Sequence, residues 1–393
     1  MKRSITFLLM FIFTLSAHTA YTTEEREIIK RQKTESVKIR FNGETIKGFY
    51  LLLDFRTDEE KQKAVEKGSP GGDIIIFLHG HGQRPGDGYK LTSNLALKSK
   101  SGIVIIPVCD TPFGSDKKWR GDRGKEVILM EMARYALREI DIEIKNFIPL
   151  TDKKIRITPS SRRAEPLPEA SGRVKAGVSL MGWSHGGLLT RRLAHSYPDA
   201  VNSIVQMAPA GYREWGRNAC TRSTCILTRF SIEGTRIGFG IFRGEGGTIF
   251  RSSTGIVRGV GGDTLRSCSS CIVGNFHPLK PFRALKDMNE SAEYATDKKF
   301  PLPRISYVTV IFSGNDSLFR VDHIDGVENR REPTLEEKEI FFEEFYASAV
   351  KGGAVFNLEV LPGNHIGPAV HGKKYSYTAL KTINELRAPD NRE

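Results

Sequence analysis

Residues 178–189 read Val178-Ser-Leu-Met-Gly182-Trp-Ser184-His-Gly186-Gly-Leu-Leu189, an apolar run that meets a cluster of glycines around one serine and then turns apolar again. The first part has the composition of a buried strand and the last part that of a helix. A serine between them, in Gly182-x-Ser184-x-Gly186, predicts a sharp strand-to-helix turn with the hydroxyl at its tip, because glycines let the two arms approach closely. The helix that follows points its positive end, and the backbone N–H of His185, toward any negative charge that forms beside Ser184. Ser184 is therefore a candidate nucleophile and His185 a candidate oxyanion donor.

The sequence on either side alternates strand and helix signals. Residues 74–78 (Ile-Ile-Ile-Phe-Leu) and 103–108 (Ile-Val-Ile-Ile-Pro-Val) are continuous apolar runs, as expected of strands buried on both faces. Further strands are expected over 203–207, 305–312 and 356–361. Asn42-Gly43 between the runs 37–41 and 46–53 predicts a tight hairpin. Helices are expected over 127–144, 185–196, 333–349 and 375–386, while 24–34 reads as a short helix or loose arm and 57–70 as a charged connection. The polar stretch 159–173 reads as an exposed loop. From 212 to about 302 periodicity is lost and glycine is frequent, which marks an insertion between strands, a cap or lid.

Three loops at the ends of expected strands carry chemistry-bearing residues: Leu78-His79-Gly80-His81-Gly82, Ser313-Gly314-Asn315-Asp316 and Pro362-Gly363-Asn364-His365. Together with the serine turn they resemble the α/β-hydrolase family, over most of the chain from about residue 36. The resemblance implies an α/β fold, a mostly parallel eight-stranded sheet with flanking helices, and the chain order nucleophile, acid, base. It assigns Ser184, Asp316 and His365 to those roles, with Asp322 and Asp325 as rivals for the acid and His371 for the base. It also places a second oxyanion donor after the 74–78 strand, at the backbone N–H of His81. Read from residue chemistry alone, His79 and His81 are also open to a tight turn or a metal, and Asp316 to an Asx-turn or helix cap.

The activities implied by the resemblance run from esterase and lipase to peptidase and thioesterase. Serine rather than aspartate at position 184 sets the chain apart from the dehalogenase and epoxide-hydrolase branches. Residues 77–83 are similar to the oxyanion loop of secreted polyester depolymerases and of feruloyl or acetylxylan esterases. The expectation is hydrolysis of a small or polymeric carboxylic ester through an acyl-enzyme, with no cofactor and no metal. A prolyl-oligopeptidase-type peptidase, which resembles the Gly182-Trp183-Ser184-x-Gly186-Gly187 string, is the second reading. A non-catalytic binding module is the third, although its usual mark, a missing triad member, is absent.

The chain has 393 residues, enough for one large α/β domain with an insertion, and a formal charge of +13. It carries no nucleic-acid-binding motif, so the charge points to a dispersed basic surface or to weak association with an anionic surface. Residues 1–20 have the layout of a secretory signal peptide: Lys2 and Arg3, an apolar run over 5–15, then small and polar residues. An uncleaved anchor is the alternative, and export to a periplasm or beyond is the expectation. Four of the five cysteines fall in the insertion, as Cys220-x4-Cys225 and Cys268-x2-Cys271. In an exported chain these read as two disulfides of undetermined connectivity, with a four-thiolate zinc knuckle as the alternative. Cys109 reads as a buried thiol, and Phe113, Asp116 and Trp119, after the 103–108 strand, are candidate substrate-facing residues.

Overall fold

The computed structural model describes residues 32–41, 43–80, 89–109, 124–150, 155–159, 172–213, 293–316, 324, 331–363, 365 and 367–385. In chain order the elements are β1 (Gln32–Phe41), β2 (Glu44–Asp54), α1 (Asp58–Lys67), β3 (Ile74–Leu78), α2 (Tyr89–Lys98), β4 (Ile103–Cys109), α3 (Gly124–Arg138), β5 (Ile142–Ile144), β6 (Arg156–Pro159), β7 (Val174–Ala176), β8 (Val178–Trp183), α4 (His185–Ser196), β9 (Val201–Met207), β10 (Tyr307–Ser313), α5 (Leu335–Lys351), β11 (Val355–Leu361), α6 (Gly367–Val370) and α7 (Gly372–Glu385). Residues 1–20, His81, Phe113, Asp116, Trp119, Asp322 and Asp325 lie outside the described residues, as do Cys220, Cys225, Cys268, Cys271 and most of 212–302. No helix among the described residues is long and apolar enough to cross a membrane.

Among the described residues nine strands form one sheet in the order β11-β10-β9-β8-β3-β4-β2-β1-β6. From β4 to β11 every neighbouring pair is parallel, while β2, β1 and β6 join the edge antiparallel. The expected hairpin at Asn42-Gly43 is the β1–β2 pair, and Gly43 takes φ +78°. The sheet has one strand more than the eight implied by the resemblance, because β6 pairs with β1 at the outer edge. A separate two-stranded parallel sheet joins β5 to β7.

Strand alternation sorts the core into two layers. Ile74, Ile76, Leu78, Val178 and Leu180 face the layer that contains Leu189 and Leu193 of α4, Ile128 and Met132 of α3, and Phe341 and Phe345 of α5. Ile75, Phe77, Met181 and Trp183 face the other, with Leu91 and Leu95 of α2 and Tyr375, Ala379 and Leu380 of α7. Helices on both faces explain why the central strands read as unbroken apolar runs. β4 and β8 flank β3 on opposite sides, so the chain leaves β3 in one direction and returns in the other. Such a switch point opens a crevice at the carboxyl ends of the strands, where this sheet carries the serine turn.

Two expectations are corrected here. The stretch 57–70 is not simply a connection: α1 occupies 58–67, capped by Thr57, whose hydroxyl accepts from the Glu60 N–H while the Glu60 carboxylate accepts from the Thr57 N–H. The helix expected over 127–144 stops at Arg138, since Asp141 takes φ +57° and β5 follows. Ile140, Ile142 and Ile144 continue the apolar pattern with a strand's period of two, not a helix's.

Helix α5 begins with the same reciprocal cap, Thr334 with Glu337. Thr334→Ala is expected to lower stability by about 1 kcal/mol, read as a reduced urea midpoint with an unchanged slope. Within α5 the backbone departs from helical geometry at Tyr346 (φ −141°). The fully buried guanidinium of Arg191, on α4, donates to the Phe345 carbonyl there and lies 4.4 Å from the centre of the Tyr346 ring. Tyr212 closes this cluster: its hydroxyl bonds Gln206 and Tyr346, and burial pushes the phenol well above its usual range. The Ala295 N–H donates to the Gly211 carbonyl at 2.8 Å, and the rings of Tyr212 and Tyr294 both pack on Phe345, at 4.8 and 5.6 Å between centres. The two ends of the expected insertion thus meet side by side.

Candidate active site

Ser184 sits between β8 and α4 with φ +60° and ψ −125°, a conformation costly for any residue with a Cβ, of order 1–3 kcal/mol. Three backbone bonds hold it there. Its N–H donates to the Met207 carbonyl (3.0 Å), and its carbonyl accepts from the Gly187 N–H (2.9 Å) and the Ala210 N–H (3.0 Å). The flanking glycines answer to sterics. A Cβ on Gly182 would stand 2.2 Å from the Gly186 carbonyl oxygen, and one on Gly186 would stand 2.0 Å from that of Leu78. Gly187 is constrained as well, since its Cβ would meet Pro209 at 2.7 Å. The strand β8, the helix α4 and the end of β3 are therefore pressed together at the point where the serine stands.

Asp316 follows β10 in a tight turn in which its N–H donates to the Ser313 carbonyl (2.9 Å). His365 follows β11, beyond Gly363 at φ +121°, a position where a side chain would also run into Gly367 at 2.9 Å. The two loops are stitched by backbone bonds, Gly314 N–H to the Leu361 carbonyl and Asn315 N–H to the Gly363 carbonyl, each 2.9 Å. Below them Ser313 Oγ and Tyr375 Oη lie 2.6 Å apart, and burial pushes the Tyr375 phenol above its usual range, so it stays protonated.

These three residues, remote in the chain, come together. His365 Nδ1 lies 2.8 Å from Asp316 Oδ2, and His365 Nε2 lies 2.8 Å from Ser184 Oγ. All three are buried, at 6% (Ser184), 8% (His365) and 5% (Asp316) of their full exposure. A carboxylate only accepts, so the ring proton belongs on Nδ1, and Nε2 presents its lone pair to the serine hydroxyl. His371, the rival base, lies at the junction of α6 and α7 beside Gly363. The imidazole that spans Ser184 and Asp316 is that of His365.

Helix α4 begins at His185, so the His185 N–H is one of the first-turn donors for which a helix supplies no carbonyl of its own. Its imidazole is buried, and the Lys125 ammonium, on α3, lies 3.3 Å from Nε2. An ammonium only donates, so this ring too carries its proton on Nδ1 and has its Nε2 lone pair engaged. The other candidate oxyanion donor, His81, lies beyond the described end of the β3 loop, but His79, two residues before it, has its carbonyl beside Gly186. Among the described residues no group of three or more His, Cys, Asp or Glu is placed to hold a metal ion.

Two neighbours of the site escape a reading of the sequence. Lys125 carries no local signal, being one of many lysines. Trp183 sits in the motif itself, yet its indole N–H donates to the His365 carbonyl at 2.9 Å, across 182 positions of chain.

No protein-family model matches the chain, and no curated protein matches it. Among solved structures it is similar to a bacterial membrane phospholipase A, with 11% identity over 99% of this chain and 100% of that one and a TM-score of 0.48. An esterase from Thermogutta terrifontis has 12% identity over 90% of this chain and 99% of that one, at a TM-score of 0.47. An epoxide hydrolase from Vigna radiata has 12% identity over 91% and 99%, also at 0.47. The strand order around β3, the antiparallel pair at one edge, and a serine raised on the turn from β8 into α4 are the layout that the resemblance in the sequence implies: the chain has the α/β-hydrolase fold.

Proposed function

We propose that the protein is a serine hydrolase that cleaves carboxylic esters through an acyl-enzyme. The observation that carries this reading is the buried relay of two 2.8 Å contacts from Ser184 through His365 to Asp316. His365 Nε2 takes the hydroxyl proton as Ser184 Oγ attacks the ester carbonyl carbon. Asp316 holds the imidazole in the required tautomer and stabilises it once it is charged. The carbonyl oxygen becomes negative at the positive end of α4, where the His185 N–H, and in this reading that of His81, donate hydrogen bonds to it. Each such donor is worth about 3–4 kcal/mol in the transition state. The imidazolium then protonates the departing alkoxide, and water repeats the sequence to release the acid and restore Ser184.

The strain at Ser184 supports a chemical role. The Ser184 φ of +60° with ψ −125° lies outside the left-handed well that side chains tolerate in ordinary turns, and a glycine there would be free of the cost. The test is covalent labelling of the full chain with a fluorophosphonate probe, followed by peptide mass analysis, and turnover of short-chain p-nitrophenyl esters beside aminoacyl amides. Label on the peptide that contains Ser184, with ester turnover, is the expected result. An unlabelled Ser184 would leave a hydrolase fold without the chemistry, and turnover of amides alone would replace the ester reading with the peptidase one.

A further inference from the structure

The acid and base loops are registered to each other by backbone bonds, Gly314 to Leu361 and Asn315 to Gly363. The register between the base loop and the nucleophile has a different origin. Besides the contact of His365 Nε2 with Ser184 Oγ, a side-chain bond ties them: the Trp183 indole N–H to the His365 carbonyl, 2.9 Å. Trp183 is the last residue of β8 and the immediate neighbour of Ser184. Two adjacent residues, the last of β8 and the first of the turn after it, thus grip His365 at both ends, Trp183 at the backbone and Ser184 at the ring.

The indole is itself fixed. It is 2% exposed and belongs to the core layer beneath the site, with Phe77, Met181 and Met207. Its bond therefore links the packed centre of the sheet to the loop after β11, a strand at the edge of that sheet. A backbone carbonyl needs no indole for its satisfaction alone, since many smaller donors serve. What an indole adds is a rigid arm whose donor sits far from its own backbone.

We propose that Trp183 is a positioning residue, which sets the distance between His365 Nε2 and Ser184 Oγ through its indole N–H. The inference rests on the serine-hydrolase reading above and deepens it. A displacement of a reacting group by about 1 Å costs on the order of 100-fold in rate. Loss of the bond is therefore expected to lower kcat by about 10- to 100-fold and leave KM within about twofold, because the indole acts through His365 and not on the substrate.

The test replaces Trp183 in two ways in the full chain. Trp183→Phe removes the donor and part of the ring. Substitution by benzothienylalanine, in which sulfur stands for the indole N–H, removes the donor and keeps the ring's shape. Both are compared with the parent for kcat and KM on a p-nitrophenyl ester, for the rate of fluorophosphonate labelling and for the thermal midpoint. A fall in kcat and labelling rate in both variants, with KM held and with the benzothienyl variant melting near the parent, supports the inference. A benzothienyl variant with parental kcat overturns it, as does a fall in KM-determined binding with kcat intact. If the parent itself neither turns over ester nor takes the label at Ser184, the hydrolase reading fails and takes this one with it. A parent that is active, with variants just as active, sinks the positioning role alone.

Discussion

Gly186→Ala is expected to leave little or no soluble folded protein. The added methyl would stand 2.0 Å from the Leu78 carbonyl oxygen and 2.8 Å from that of His79, where real Cβ atoms essentially never come below 3.0 Å. Both obstacles are backbone at the end of β3, the strand at the middle of the crossover, so neither can swing aside as a long side chain would. Relief requires α4 to move away from the sheet, and that motion would break the bonds from Ala210 and Gly187 to the Ser184 carbonyl. Overpacking in a core commonly costs 1–3 kcal/mol, and a clash with fixed backbone lies at or beyond the top of that range, against a total stability of about 5–15 kcal/mol. Soluble yield and thermal unfolding measure the effect. Gly353→Asn is the comparison: a Cβ there meets nothing within 4 Å, and asparagine tolerates its φ of +77° better than most residues, so this variant should stay close to the parent. A Gly186→Ala protein as stable and active as the parent would mean that β3 and α4 do not meet as described.

The second large effect is chemical. Asp316→Asn keeps the size and burial of the side chain but removes the carboxylate 2.8 Å from His365 Nδ1. An amide nitrogen turned to Nδ1 donates a hydrogen bond, which moves the ring proton to Nε2 and takes the lone pair away from Ser184. An amide oxygen turned to it keeps the tautomer but leaves the imidazolium of the transition state without its counter-charge. In either orientation the expected loss is about 10⁴-fold in kcat, or about 5 kcal/mol of activation free energy. Single-turnover kinetics on a p-nitrophenyl ester, beside circular dichroism to confirm the fold, gives the answer. A loss below tenfold would remove Asp316 from the relay and reopen the acid position.

The serine turn could be read from the sequence because sterics admit few residues there. Gly182 and Gly186 are required by approaches of 2.2 and 2.0 Å, and an apolar strand before them and a helix after them complete the pattern. Asp316 and His365 were reached only by likeness to a family, through their places after β10 and β11. Nothing local distinguishes either from a capping aspartate or a surface histidine, and their contact with Ser184 is a property of the folded sheet. Trp183 shows the limit most clearly: its type and position are in the motif, but its hydrogen bond depends on where a loop 182 residues away is delivered. The early end of the helix after 127 has a plainer cause. Ile140 fits the helical spacing of Val127, Met130, Ala133 and Leu137 as well as the period of two it shares with Ile142 and Ile144, and Asp141, at positive φ, is where the second takes over.

The bond between Ala295 and Gly211 has a bearing on how this chain can change. Because positions 211 and 295 are bonded to each other, the chain between them is a closed excursion as far as the sheet is concerned. Doubling the length of such a closed excursion costs only about 0.6 kcal/mol in closure entropy. A shorter or longer passage between Tyr212 and Tyr294 is therefore expected to leave the packing of both rings on Phe345 in place.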